Sequence, residues 1–244
     1  FLLLLALPGL GMRGHAQTTD AALATAILSD HRLDTVSQWA MNLAKKGFNA
    51  GSGYGEIWIR DFNTFMELSC RVLPKEAIAG RLSVFFQMQG DDGNIIDGYI
   101  PKEKANVGYQ YIYSKQAPAF AGHKNTVETD QESSLIQAVY KYVNATGDHD
   151  FLQKVIAGKS VMERMGDALE FLMRHRFDAK HGLIYGATTA DWGDVQPEGS
   201  WGVTLDSTTH YAIDIYDNAM LVIALNNYLS FGVPKKDQHK WQSV

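Results

Sequence analysis

The strongest constraint on this chain is an alternation. Apolar residues at helical spacing recur along it, and the segments that carry them are joined in turn by short plain connections and by long, glycine-punctuated loops. Asp34 to Lys46 carries Val36, Trp39, Ala40, Leu43 and Ala44 on one face and stops at Gly47. Lys75 to Gln89 carries Ile78, Leu82, Phe85 and Phe86 and stops at Gly90. Thr129 and Glu132 have the spacing of a capping box, ahead of Leu135, Ile136, Val139, Tyr140 and Val143, and this helix ends at Gly147. Ser160 and Glu163 repeat the device ahead of Met165, Ala168, Leu169, Leu172 and Met173. A shorter helix from Asn63 to Arg71 is stopped by Pro74, and a weaker one lies near Phe151. Asp217 to Phe231 is apolar almost all round, which predicts a helix buried on most sides. About seven helices and little strand follow from these patterns.

Three loops, Gly47 to Ile59, Gly90 to Lys124 and Phe177 to Thr208, are rich in Trp, Tyr, Asp and Asn. Loops of this length are uncommon unless they are functional. Short turns alternating with such loops are what stacked helical hairpins produce when all their working loops lie at one end. No low-complexity tract, charge run or Pro-rich linker marks an internal boundary.

The ends and the charge narrow the setting. With 22 Lys and Arg against 27 Asp and Glu, the net charge of −5 leaves no basic footprint for nucleic acid. Residues 1 to 10, FLLLLALPGL, form an apolar run too short to span a bilayer, which takes roughly 20 residues. Gly14 and Ala16 then place small residues at the positions a signal peptidase reads, so residues 1–16 read as a secretory signal peptide and 17–244 as part of one domain. No Met and no basic segment precede the apolar run, so the sequence reads as truncated at its start. Cys70 is the single cysteine, and a secreted chain without disulfides fits the bacterial periplasm or outer surface. No Cys stands at the cleavage point to carry a lipid, so no membrane contact beyond export is expected.

Four loop motifs carry a resemblance. Glu56-Ile-Trp-Ile-Arg-Asp-Phe62 leads into a helix, and Asp92-Gly-Asn-Ile-Ile-Asp-Gly-Tyr-Ile-Pro101 follows one. Thr129-Asp-Gln-Glu-Ser-Ser-Leu135 runs on to Tyr142-Val-Asn-Ala-Thr-Gly-Asp148, and Gly182-Leu-Ile-Tyr-Gly-Ala-Thr-Thr-Ala-Asp-Trp-Gly-Asp194 precedes the next hairpin. In order and spacing, over about residues 34 to 231, these motifs resemble the six-hairpin glycosidases, the superfamily of glucoamylases, processing α-glucosidases, trehalases, amylo-α-1,6-glucosidases and α-rhamnosidases. The resemblance implies an all-α fold, an (α/α)6 toroid of twelve helices in two rings. At roughly 33 residues per helix and loop a complete ring needs about 390 residues. The chain therefore reads as the N-terminal half of a catalytic domain, which would leave the apolar flanks of Asp217 to Phe231 exposed.

The implied activity is hydrolysis of α-linked oligosaccharides from the non-reducing end with inversion. That chemistry needs a carboxylic acid to protonate the leaving oxygen and a carboxylate base about 6.5 to 9.5 Å away to activate water. In the resembled enzymes the acid lies near mid-barrel and the base near the C-terminal end, so the acid alone is expected here. Asp194 and Asp191, which bracket Trp192, are the candidates, with Asp194 favoured; the apolar ring of Trp192 suits a carboxyl that must stay protonated. Glucoamylases place two adjacent acids just after a Trp, whereas Gly193 and Asp194 follow it here, which leaves open which Asp protonates. A pair of turn-forming Asp residues is the plainer alternative.

Trp58, Arg60 and Asp61 match a W-x-R-D pattern whose Arg and Asp hold hydroxyls of the terminal sugar in the resembled enzymes, although Asp61 also reads as a helix N-cap paired with Arg60. Asp97 and Tyr99 are binding candidates from the second loop, where Asp97-Gly98 is equally a good turn, and Trp201 is a candidate platform. Asp130, Glu132, Asp217 and Asn218 open helices, and capping accounts for each. No cofactor or metal pattern, dinucleotide glycine motif or G-x-S-x-G is present, and the eight His are scattered. Polysaccharide lyases, uronyl hydrolases and sugar epimerases built on similar toroids use Tyr, His and Arg, which are sparse in these loops. A non-catalytic glycan-binding protein would need no paired acids beside a Trp.

Overall fold

A computed structural model describes residues 20–49, 53–105, 110–189, 195–197 and 202–243. Nine α-helices lie among them: α1 (Ala21–Leu28), α2 (His31–Ala44), α3 (Ile59–Val72), α4 (Lys75–Gln87), α5 (Gln131–Thr146), α6 (Asp150–Gln153), α7 (Val161–His175), α8 (Ile215–Ser230) and α9 (Lys235–Gln242). The strands are short and lie in the connections: β1 (Ile57–Trp58), β2 (Gly98–Pro101), β3 (Phe120–His123), β4 (Val155–Ile156), β5 (Lys159–Ser160), β6 (Phe177–Asp178), β7 (Leu183–Ile184), β8 (Gly186–Ala187) and β9 (Tyr211–Ala212). The chain is mostly helical. None of the described helices is long and apolar enough to cross a membrane.

Two compact units are distinguished, residues 1–40 and 41–244. In the first, α1 was not foreseen from sequence; Asp20 caps it by accepting from the amides of Ala22 and Leu23. The stripe predicted on α2 is not a packed one, for Val36, Trp39 and Leu43 are exposed and Ala44 alone of that helix is buried.

The second unit holds the core. α5 packs against both α3 and α8, and all three run the same way. Arg60 meets Asp130 where α3 and α5 begin, Asn63 bonds Gln137 a turn further on, and Glu67 and Cys70 lie beside Lys141 and Asn144 near the far end. In the same sense Tyr216 meets Asp130, the Gln137 side chain donates to the Met220 carbonyl, and Tyr140 packs on Phe231. α7 runs the opposite way, since its C-terminal end reaches the approach to α5, where Phe171 lies under Lys124 and Arg176 donates to the Thr126 carbonyl. α4 reverses from α3 through Pro74, and the Gln87 carbonyl at its end accepts from Ser114 in the second loop. The elaborate connections therefore gather where α3, α5 and α8 begin.

All three of those loops contain more strand than the sequence suggests. β1, β2 and β3 form an antiparallel sheet with Trp58 opposite Gly98 and Gly98 opposite His123. Asp97-Gly98 is thus the start of a strand rather than a turn. Gly98 is required by contact: a Cβ there would lie 2.4 Å from Trp58 Cε3 and 3.0 Å from the Ile57 carbonyl. Its absence lets the Trp58 indole lie across the sheet, edge-on to His123 with ring centroids 5.9 Å apart. In the third loop, β6 pairs with β7 and β8 with β9.

The capping predictions divide. Ser160 and Glu163 form the capping box on α7. Thr129 and Glu132 do not cap α5: the Thr129 hydroxyl donates to the Tyr185 carbonyl, and Glu132 accepts from the Ile95 amide and from Lys124. α8 begins two residues before Asp217 and is buried on one face only, through Leu221, Ala224, Leu225 and Tyr228. Val222 and Ile223 on its other side are 57% and 47% exposed, so apolar composition on every face overstates this helix's burial.

Gly98→Ala tests the sheet contact. The indole or strand must shift to admit the methyl group, and overpacking of this kind costs about 1–3 kcal/mol. The expected outcome is a lower urea midpoint at an unchanged denaturant slope; a midpoint equal to that of the parent would show that the indole is not confined there.

Candidate functional site

Where α3, α5 and α8 begin, acidic side chains outnumber their cationic partners. Arg60, in the first turn of α3, points its Nη1 at carboxyl oxygens from two other segments: Asp130 Oδ1 at 3.1 Å, Asp97 Oδ1 at 3.5 Å, and Glu128 Oε2 in a short charge-assisted bond. The three acids are buried, and the Arg60 side chain retains 27% of its exposure. Asp130 also accepts from the half-exposed Tyr216 hydroxyl at 3.0 Å, and buried Asp217 follows Tyr216 on α8. Half-buried Trp58 and Asp61 flank Arg60.

A second cation fixes this floor from beneath. Lys124 has three N–H protons and gives them to the Ile95 carbonyl (2.7 Å), Gln131 Oε1 (3.1 Å) and Glu132 Oε1 (3.0 Å). Because Lys can only donate, the Gln131 amide must turn its oxygen to Lys124 and its NH2 the other way. That NH2 donates to the Asn125 carbonyl and to Glu128 Oε2, each at 3.0 Å. Glu128 Oε2 is therefore an acceptor twice over, and any proton that Glu128 carries resides on Oε1.

Burial dominates the acid–base chemistry. It raises the Glu128 carboxyl well above its ordinary range, reinforced by the Asp97 charge and opposed by Arg60. Asp130 is raised by burial against the pull of Arg60 and Tyr216, and Asp61 is raised by burial as well. Asp217 is pushed up to about 8, first by burial and then by the charges of Asp214 and Asp130. Burial works against the Arg60 charge, yet Asp130, Asp97 and Glu128 together outweigh it and keep the guanidinium protonated. The positive ends of three helices favour carboxylates here but do not offset their desolvation.

The candidates named from sequence separate clearly. Trp58, Arg60, Asp61 and Asp97 come together. Asp61 is inside the helix and Trp58 is the N-cap residue, which removes the capping explanation of Asp61. Tyr99 is a correction: it is 1% exposed, its ring packs edge-on to Phe85 and Phe120, and its hydroxyl donates to the Arg81 carbonyl, so it belongs to the core. Asp191, Trp192, Asp194 and Trp201 lie outside the described residues. Asp217 and Asn218 are not caps, because Asp214 caps α8 while Asn218 clamps the Ile184 backbone through both its amide groups. Sequence reasoning missed Glu128, Asp214 and Tyr216. An acid two residues before Asp130 was the available signal for Glu128.

No group of three or more His, Cys, Asp or Glu among the described residues is arranged to hold a metal ion. Cys70 is pushed up to about 11 by burial and the Glu67 charge, so it remains a thiol at neutral pH. Comparison of the chain with family models and with curated proteins finds no match in either.

The Asp217 shift fixes the sign of a pH dependence. A raised carboxyl keeps in the folded state a proton that the unfolded chain has released, so its contribution is full below the ordinary carboxyl range and is lost as pH rises through about 8. The urea midpoint is expected to decline from pH 5 to pH 9, and Asp217→Asn, which cannot ionise, should flatten that decline. An equal decline in the variant would assign it to other groups.

Proposed function

We propose that the chain is a glycoside hydrolase that takes a neutral sugar at the Arg60 cluster and cleaves α-linked oligosaccharides from the non-reducing end with inversion. The observation that carries the reading is the surplus of buried acceptors around one half-buried guanidinium, at the end of the fold where all the long loops meet. Sugar hydroxyls are donors as well as acceptors. They can add to the protons that Arg60, Tyr216 and Gln131 already give the carboxyl oxygens of Glu128 and Asp130. An anionic sugar is disfavoured by the same surplus, which argues against uronic-acid lyases and hydrolases.

The alternation of same-direction helices α3, α5 and α8 with reversed α4 and α7 supports a toroid of helical hairpins as the frame. In this reading Trp58 offers a ring to the sugar, Arg60, Asp61 and Asp97 orient its hydroxyls, and the proton comes from Asp194, or from Asp191 across Trp192. The loop that carries these acids continues from β8, whose Gly186 lies against the site: a Cβ there would be 3.2 Å from both Asp217 Oδ2 and the Thr129 hydroxyl. Export to the periplasm or cell surface through residues 1–16 completes the proposal.

The test, on the full-length protein that would also supply the base, is turnover of nitrophenyl α-glycosides and α-linked disaccharides, with the anomeric configuration of the first product read by NMR. Inversion is expected. Asp194→Asn removes a transferable proton worth about 10²–10⁴ in rate, so it should disable disaccharide cleavage while sparing far more activity on a dinitrophenyl glycoside, whose leaving group hardly needs protonation. Retention of configuration would refute the mechanism. Failure to bind any neutral sugar would refute the reading itself.

A further inference from the structure

One acid of the Arg60 cluster has two oxygens in unlike surroundings. Glu128 lies in the segment that leads into α5, and its side chain is 6% exposed. Its Oε2 accepts from Arg60 Nη1 and from the Gln131 NH2. Neither contact can be turned round. A guanidinium has no acceptor, and the Gln131 NH2 is aimed at Glu128 because Lys124 holds the Gln131 oxygen. Oε2 is therefore the acceptor end of Glu128 whatever charge the group carries.

The other oxygen is left for a different partner. Oε1 has no hydrogen bond from any described residue, yet it is not closed off from solvent as the buried, unpartnered Glu132 Oε2 is.

The surrounding charges decide what Oε1 presents. Glu128 shares Arg60 Nη1 with Asp97 from the head of β2 and with Asp130 from its own segment, so three carboxyls face one cation. Lys124 gives its protons to the Ile95 carbonyl, Gln131 and Glu132 instead. From α8, the Tyr216 hydroxyl donates to Asp130, and buried Asp217 adds a further acid. Asp130 thus accepts through both oxygens, Oδ1 from Arg60 and Oδ2 from Tyr216, and both bonds favour its charged form. Glu128 accepts through one oxygen alone, and burial and the Asp97 charge raise it against the pull of Arg60.

We propose that Glu128 determines specificity as a hydrogen-bond donor, keeping a proton on Oε1 and giving it to an oxygen of the unit held at Arg60. This role rests on the glycosidase reading and adds a rule to it. The unit must bring an acceptor to Oε1 and donors to the carboxylates beside it, which a hydroxyl meets with its lone pairs and its proton and a deoxy centre does not meet at all.

Glu128→Gln tests the role. Arg60 and Gln131 both demand an acceptor where Oε2 lies, so the variant's amide oxygen must sit there and its NH2 must stand where a protonated Oε1 stood. Titration with methyl α-glucoside, methyl α-mannoside and methyl α-galactoside at pH 7 should give, for those that bind, an affinity within about threefold of the parent's. A loss of about tenfold or more, the result of facing a sugar hydroxyl's donor with an NH2, overturns the role and leaves the glycosidase reading standing. The infrared difference spectrum between parent and variant needs no ligand. It should contain the carbonyl stretch of an un-ionised carboxyl group at pH 7; a carboxylate band in its place overturns the role. So does a variant that circular dichroism shows to be unfolded, because the isostere of a neutral Glu128 keeps every bond. Binding of none of the three glycosides by the parent overturns both.

Discussion

The structure turns on one guanidinium. Arg60 brings the first turn of α3 to the head of β2 through Asp97 and to the approach to α5 through Glu128 and Asp130, segments 37 to 70 residues away in the chain. Buried carboxylates are tolerated only when they are paired or keep a proton, so removing Arg60 would take away the positive charge that faces all three. Lys124 makes the complementary tie. It locks the Ile95 carbonyl to Gln131 and Glu132, which fixes the residues leading to Asp97 against the first turn of α5. Between them the two cations hold Asp97, Glu128, Asp130 and Glu132 in place.

That floor lies where it does because of helix polarity. Three helices that run the same way present their unpaired N–H groups and positive ends together, and acids gathered there meet a favourable field. Long loops accumulate at the same end because the opposite end needs only short turns, such as the one through Pro74. The short sheets inside those loops supply what a bare loop lacks, a fixed backbone. Asp97 is positioned by two such bonds, its amide donating to the His123 carbonyl and its carbonyl accepting from the Ile59 amide.

How far the sequence foretold this depends on what each residue's neighbours are. The helices of the second unit were legible because their apolar spacing reports directly on a shared core: Leu135, Ile136 and Val139 on α5, and Met165, Leu169 and Leu172 on α7, are fully buried. Capping boxes were less reliable guides. Ser160 and Glu163 face solvent and have only each other and the helix end to bond, so the local pattern decided. Thr129 and Glu132 have the same local pattern, but they are buried beside Tyr185, Ile95 and Lys124, and distant partners won. Tyr99 misled for a related reason, since an aromatic in a loop motif looks available until strand pairing turns it toward Phe85. Trp58, Arg60, Asp61 and Asp97 were found through a resemblance of motifs, and the structure gathers them. Glu128 had no such motif, and its importance appears only when Arg60, far away in sequence, is placed against it.

The charge balance of the cluster argues that it answers to something other than folding. Replacing a buried charged cluster by packed apolar residues is often neutral or stabilising, and here burial raises Glu128, Asp130 and Asp217 together, each raised group marking an unfavourable environment for its charge. A chain selected for stability alone has no use for three acids on one Arg60 nitrogen. Local violations of this kind collect where a ligand completes the pairing. Under the glycosidase proposal an uncharged, donor-rich ligand would complete it, by bonding carboxyl oxygens around Arg60 and removing water from the Arg60 side chain, which strengthens the ion pairs there. The same exclusion of water would deepen the preference of a buried carboxyl such as Asp217, already raised by burial, for its protonated form.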